Sequence, residues 1–237
     1  MVKRRLKSAI GRSYFSKKTL LRNNIFLFLT LFAIVFVKPL LKHLDSNDII
    51  FNILLSFTIL TAIASLDFNK RRLLHLSYAG LFTLLFVWLG FFMNSLVINF
   101  TKFTLLILFN LFITYSMINH VARQKNVDAT MILNAVNSYL FLGIIFAMLF
   151  ILTDVLYQFF YGLNGATVNF NYTNAPKIID YFYFAFISLT TVGYGDAVPS
   201  IPLTRSLAML AGITGQLYLS IIIAILISKF LANEERK

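Results

Sequence analysis

The chain has 237 residues, of which 59% are apolar, 16% are aromatic and 13% are charged, and its formal net charge is +12. Soluble domains contain about 45 to 50% apolar residues, so the composition excludes an ordinary soluble domain and predicts a protein of the lipid bilayer. The absence of cysteine excludes disulfides and thiolate-bound metal or haem, and we expect no cofactor.

Six apolar runs have lengths close to the roughly 20 residues that a helix needs to cross the hydrocarbon core of a bilayer, although the second run is short. The sequence therefore predicts an all-α membrane protein with six transmembrane helices, at approximately 25–41, 49–66, 73–92, 96–118, 131–160 and 206–230.

The positive charges indicate how the chain is oriented. The segment 1–24 contains eight lysines and arginines and no acidic residue. Because basic residues collect on the cytoplasmic side, we expect the N-terminus there, and six spans return the C-terminus to the same side. This distribution favours a membrane protein over a partner of nucleic acid. The basic segment could contact anionic lipid or remain a disordered tail.

Between the fifth and sixth runs lies a shorter apolar segment, at 178–189. It has about three helical turns and cannot span a bilayer. Irregular backbone at membrane depth is tolerated where it lines a water-filled cavity. The segment is therefore interpreted as a re-entrant helix beside a pore.

Residues 190–196, directly after this segment, read Thr-Thr-Val-Gly-Tyr-Gly-Asp. Thr-Val-Gly-Tyr-Gly is the known filter sequence of potassium channels, in which rings of backbone carbonyls replace the hydration shell of the ion. Aligning successive carbonyls requires positive φ angles, which glycine adopts without penalty. We expect K⁺ to bind at the residues of this filter, with both glycines at positive φ: Thr191, Val192, Gly193, Tyr194 and Gly195.

From 180 to 230 the chain resembles the pore domain of the pore-loop potassium channel family, in its prokaryotic type. The resemblance implies a homotetramer in a prokaryotic cytoplasmic membrane. It also implies that the filter is supported by Thr190, Asp196, Tyr183 and Phe184. One departure is Ile187, where some bacterial relatives have a carboxylate, so inactivation through that carboxylate is not expected.

In the sixth run the resemblance implies a hinge at Gly212 or Gly215. Glycine in a membrane helix equally serves close packing. Four residues share one face by their spacing and are expected to line the cavity, the last two as an apolar gate: Gln216, Leu219, Ile223 and Ile227.

These expectations divide the chain into a basic N-terminal segment (1–24), a four-helix membrane domain (25–118), a cytoplasmic linker (119–130), a pore domain (131–230) and a short cytoplasmic tail (231–237). The fourth run has Lys102 as its one charged residue, far fewer charges than a voltage sensor, so we expect weak or no voltage dependence. Asp154 is interpreted as structural, and the asparagines of the fourth and fifth runs, Asn134 among them, as hydrogen-bonding between helices.

Three other functions are alternatives to a potassium channel. A potassium-uptake permease built from one chain would need several filter-like loops, and the sequence has one. A membrane-embedded hydrolase would need paired carboxylates, a metal cluster or a Ser/His pair at membrane depth, and we expect no enzyme. A non-conducting subunit that modifies another channel stays open, since an intact filter sequence does not by itself establish flux.

Overall fold

The computed structural model describes residues 16–41, 49–93, 95–124, 127–162, 167–173 and 175–234. Their helices are α1 (Lys17–Phe32), α2 (Ile49–Ser65), α3 (Lys70–Met93), α4 (Leu96–Arg123), α5 (Ala129–Tyr161), α6 (Ile178–Leu189) and α7 (Pro202–Glu234), and two short strands are β1 (Val168–Phe170) and β2 (Ala197–Pro199). Within these ranges, five helical segments are long and apolar enough to cross a membrane, and α2 has 17 residues. The chain is therefore a largely helical integral membrane protein.

Most of the long helices extend beyond the apolar runs from which they were predicted, whereas α2 ends one residue earlier than its run. For α1 the start is Lys17, because the Ser16 side chain accepts a hydrogen bond from the Thr19 amide at 3.2 Å and caps the helix. Asp128 caps α5 in the same way, accepting from the Met131 amide at 2.8 Å. The connection from α4 to α5 is consequently shorter than the predicted linker 119–130. Residues 1–15 lie outside the described ranges, so lipid contact by the N-terminal segment stays a prediction.

The end of α1 is irregular. A π-helical turn covers Ala33–Val37 and a 3₁₀ turn covers Lys38–Leu41. Pro39 explains the change, because proline has no amide hydrogen to donate to the carbonyl four residues earlier. This end of α1 lies beside α6, and the two share the lining of a cavity described below.

The core is organised around α5, which packs against α1, α4, α6 and α7. Phe141 and Phe150 of α5 are fully buried in the main apolar cluster. A second, smaller cluster joins the end of α4 to α5 and α7, through Val121, Met131, Ala135, Tyr218 and Ile222. Of the four N-terminal helices, α1 and α4 therefore pack against α5, and the end of α4 also contacts α7.

Candidate functional site

The site begins with α6, a 12-residue helix with the bounds of the predicted re-entrant segment. Its start is fixed by Asp180, which accepts a hydrogen bond from the Lys177 amide at 2.7 Å. At its end, the amide and the hydroxyl of Thr190 both donate to the Phe186 carbonyl, at 2.9 and 2.7 Å. α6 packs against both α5 and α7, so this short helix is held between two long ones.

Residues 190–196 form the loop that leaves α6. The Val192 amide donates to the Ile187 carbonyl at 2.9 Å, which holds the loop against the C-terminal end of the helix. The φ angles of Gly193 and Gly195 are +51° and +81°, as expected for aligned carbonyls. A helix C-terminus carries partial negative charge, so the surroundings of the loop favour a cation.

Thr191 also has a positive φ, of +59°, which the sequence did not predict. This conformation is unfavourable for a β-branched residue and costs about 1 to 3 kcal/mol. Local hydrogen bonds offset part of that cost: the Thr191 hydroxyl donates to the Thr190 carbonyl at 2.7 Å and accepts from Nε2 of Gln216 at 3.1 Å. Gln216 of α7 therefore contacts the start of the loop directly.

The far end of the loop is tied to the segment before α6. Strand β2 follows the loop and pairs antiparallel with β1, with Phe170 opposite Ala197. Asp196 accepts from the Tyr183 hydroxyl at 2.7 Å, and its carbonyl accepts from the Asn171 amide at 2.9 Å. Phe184 packs on Phe150 of α5, with ring centroids 4.7 Å apart, and its predicted support of the loop stays a prediction.

Asp154 of α5 connects several elements behind the loop. Its Oδ1 accepts from the Thr167 amide at 2.8 Å and from the Thr167 hydroxyl, and its Oδ2 accepts from the Tyr181 hydroxyl of α6. The Thr167 carbonyl in turn accepts from the Ser200 amide and the Thr204 hydroxyl, both at 2.9 Å. These bonds join α5, α6, the residue before β1 and the start of α7. The sequence indicated a structural carboxylate here but could not identify its partners.

α7 is continuous through both glycines, without a break at the predicted hinge. Gly215 lies against the end of α6: a Cβ atom there would be 1.9 Å from the Leu189 carbonyl oxygen. At Gly212 the nearest atom would be the Ser188 carbonyl oxygen, at 3.5 Å. The backbones of α6 and α7 therefore approach most closely at Gly215, which favours a packing role for this glycine.

The residues predicted to line the cavity are exposed in the single chain. Gln216 and Leu219 are uncovered, and Ile223 and Ile227 are 52% and 55% exposed. Beyond them, Nζ of Lys229 donates to the carbonyls of Val121 and Ala122 in the last turn of α4, at 2.6 and 2.9 Å. The exposed face of α7 thus has no cover from the described part of its own chain, while its end is held by α4.

The outward side of the loop is also open. Val192 and Tyr194 are 51% and 73% exposed, and they line a cavity of about 540 Å³ together with Phe186 of α6 and with Val35 and Phe36 of α1. Large apolar side chains exposed together on a structured surface indicate contact with another molecule.

A short helix between two long apolar ones, ending on a glycine-containing loop, is an arrangement typical of pore-loop ion channels. The family described as "Ion channel" matches residues 140–232, which contain most of α5, all of α6 and the loop, and nearly all of α7. A stretch of 66 residues is 35% identical to two-pore potassium channel 4 of Arabidopsis thaliana, covering 28% of this chain and 23% of the relative. No solved structure matches the chain significantly.

The predicted resemblance to pore-loop potassium channels is thus supported over this part of the chain, which lies in an integral membrane protein. An ion channel family is not a class of enzymes. The matched stretch of the chain spans about a quarter of the length of the curated relative.

Proposed function

We propose that the chain conducts potassium ions passively and selectively through a pore shared by four copies. The observation that carries this proposal is the loop 191–195, whose glycines have φ angles of +51° and +81° at the C-terminal end of α6. Such φ angles allow successive carbonyls to point the same way, but carbonyls replace the hydration shell of K⁺ only as a ring, which one loop cannot form. Four copies around an axis would provide it.

The exposed surfaces of the single chain support the tetramer. Val192 and Tyr194 on the loop, and Ile223 and Ile227 on α7, are all more than half exposed. Copies related by a closed rotation would each cover the loop of a neighbour while the α7 faces met around the axis. In this arrangement Ile223 and Ile227 form an apolar constriction that gates the pore.

The charges support six spans with both termini in the cytoplasm. Lys70, Arg71 and Arg72 begin α3, and Arg123 ends α4. With α2 as a short second span, these residues and the basic N-terminal segment fall on one side of the membrane, as the positive-inside rule requires. A prokaryotic cytoplasmic membrane remains the proposed location.

Voltage dependence is proposed to be weak. In α4, Lys102 is the one cation before the last turn, and its Nζ lies 4.5 Å from the centre of the Phe103 ring. Each charge moved across the membrane contributes only ~2.3 kcal/mol per 100 mV, and voltage sensors move 3 to 4 charges in each subunit. One lysine per subunit therefore supplies too little energy for steep gating. We expect a nearly flat open probability between about −100 and +100 mV. A steep conductance–voltage relation in a planar bilayer would contradict this proposal.

Reconstitution in liposomes tests the proposed conduction. We expect K⁺ flux well above Na⁺ flux, inhibition by barium, and loss of selective flux in Gly193→Ala. The reason is the φ angle of +51° at Gly193, which alanine adopts at a cost of about 1 kcal/mol and would relieve by turning its carbonyl away from the ion.

The matched control is Gly162→Ala. Gly162 also has a positive φ, of +63°, and a Cβ atom there would meet no atom of the described residues within 4 Å, as at Gly193. It lies after α5 and outside the loop. The two variants therefore carry a similar backbone cost, and only Gly193→Ala should lose selectivity. Equal fluxes of Na⁺ and K⁺ in the unaltered protein would contradict selectivity for K⁺, and the absence of any flux would contradict conduction by this chain.

A further inference from the structure

Two adjoining cavities lie where α3 begins and α4 ends, away from the loop. The first, of about 350 Å³, is lined by the arginines Arg72 and Arg123, by His120, and by the amide side chains of Gln124 and Asn134. Asp67 also lines it, so two arginines face one carboxylate. The lining thus contains polar and apolar side chains, and its charged residues give it an excess of positive charge.

The second cavity, of about 480 Å³, is a groove between α3 and α4. Its lining includes the apolar side chains of Leu76 and Phe112 and the ring of Tyr115. Phe68, Arg72, Ser116 and Asn119 line both cavities. The first cavity, which contains the arginines, therefore adjoins the more apolar groove directly.

Hydrogen bonding in the first cavity is incomplete within the described ranges. The Oδ1 atom of Asn134, a residue only 3% exposed, accepts no hydrogen bond there, and neither does the buried Oε1 of Gln124. A buried acceptor without a donor costs about 1 to 3 kcal/mol, so such atoms indicate a missing donor. Both atoms belong to residues that line the first cavity.

A ligand that fits both cavities would carry three chemical groups: an anion for the arginines, a hydrogen-bond donor for the amide oxygens and an apolar chain for the groove. Arginines bind phosphate through charge-assisted hydrogen bonds, and Arg123 uses one of its five donors on Oδ1 of Asn119, at 2.8 Å. The amide oxygens of Asn134 and Gln124 need hydroxyl or amine donors, which a bare phosphate at neutral pH does not supply well. The apolar groove accommodates an acyl chain.

We propose that this site binds an anionic phospholipid whose headgroup carries hydroxyl groups, as phosphatidylglycerol does. The phosphate lies between Arg72 and Arg123, the glycerol hydroxyls donate to the two amide oxygens, and an acyl chain fills the groove. In the proposed orientation the site opens at the cytoplasmic surface, where anionic lipid is attracted by basic residues. The binding itself does not depend on ion conduction.

Native mass spectrometry of the full chain, purified in detergent and titrated with phosphatidylglycerol, tests the site. We expect Arg72→Gln and Arg123→Gln each to weaken binding about tenfold, because each removes charge-assisted hydrogen bonds to the phosphate. Arg71→Gln is the matched control. It removes the same charge from the preceding residue, which lines neither cavity, and should bind as the unaltered protein does.

Further probes separate the parts of the ligand. Phosphatidic acid lacks the hydroxyls and should bind several-fold more weakly than phosphatidylglycerol, and Asn134→Leu should reduce this preference. Soluble glycerol phosphate lacks the acyl chains and should not compete.

The proposal is overturned if Arg71→Gln weakens binding as much as Arg72→Gln, because surface charge alone would then explain the binding. It is also overturned if glycerol phosphate competes fully, because the site would then bind soluble anions. Retained binding by an Arg72→Gln and Arg123→Gln double variant overturns it as well, and circular dichroism establishes that each variant is folded.

Discussion

Replacing Gly215 with alanine is expected to abolish potassium flux and to lower the stability of the purified protein. The added Cβ would lie 1.9 Å from the carbonyl oxygen of Leu189 and 2.9 Å from its carbonyl carbon. Both are backbone atoms, so no side chain rotation relieves the clash, and α7 must move away from α6. Overpacking of this kind typically costs 1 to 3 kcal/mol and here is expected to reach at least about 3 kcal/mol. Thermal unfolding in detergent and liposome flux measure the two effects.

Gly212→Ala is the control for this prediction. Its Cβ would meet the Ser188 carbonyl oxygen at 3.5 Å and Cγ2 of Thr191 at 3.6 Å, which are ordinary contacts. Alanine also favours a helix over glycine by about 1 kcal/mol. The variant should therefore be as stable as the unaltered protein or more so. Loss of flux with full stability in Gly212→Ala would instead indicate a hinge, and Gly215→Ala with unchanged stability and flux would contradict the packing role.

The helices could be predicted from the sequence because lipid imposes a simple rule. Backbone groups in hydrocarbon must be satisfied within the segment, so a sufficiently long apolar run becomes a helix. The re-entrant helix could be predicted from the short length of its apolar run, and the predicted bounds coincide with those of α6. Only the helix ends were misplaced, since capping by Ser16 and Asp128 extends helices beyond their apolar runs.

The contacts between these helices could not be predicted in this way. Strands β1 and β2 have three residues each, too few for an alternating pattern, and they pair across the whole of α6 and the loop. Thr191, with its positive φ, accepts a hydrogen bond from Gln216, 25 residues later. The sequence is consistent with either bending or packing at Gly215, and only the close approach of the Leu189 carbonyl to this glycine favours packing. Each of these features arises from tertiary contact, which local sequence does not encode.

Asp154→Leu is expected to destabilise the protein and to reduce its selectivity for K⁺ over Na⁺. Leucine branches at Cγ as aspartate does, although it is larger, and it accepts no hydrogen bonds, so the Thr167 amide, the Thr167 hydroxyl and the Tyr181 hydroxyl all lose their acceptor. Hydrogen bonds to a charged group contribute roughly 1.5 to 3 kcal/mol each, and we expect a loss of about 3 kcal/mol in total because some donors will find other partners. Selectivity should fall because Thr167 precedes β1, whose partner β2 begins directly after Asp196. Thermal unfolding and paired K⁺ and Na⁺ fluxes measure the result.

A set of smaller substitutions shows whether Asp154 acts through these bonds. Asp154→Asn keeps acceptor oxygen at one position and should lose less stability than Asp154→Leu. Tyr181→Phe removes one of the three donors and should lose less stability still. Tyr183→Phe is the control, because it removes the hydrogen bond to Asp196 at 2.7 Å in the same region without changing any bond of Asp154. Because Asp154 and Tyr181 share a bond, the cost of the Asp154→Leu and Tyr181→Phe double variant should be less than the sum of the single costs, whereas Tyr183→Phe should add to either. Strict additivity of Asp154→Leu and Tyr181→Phe would mean that the carboxylate does not position α6, and that the loop is held by Tyr183 and the paired strands alone.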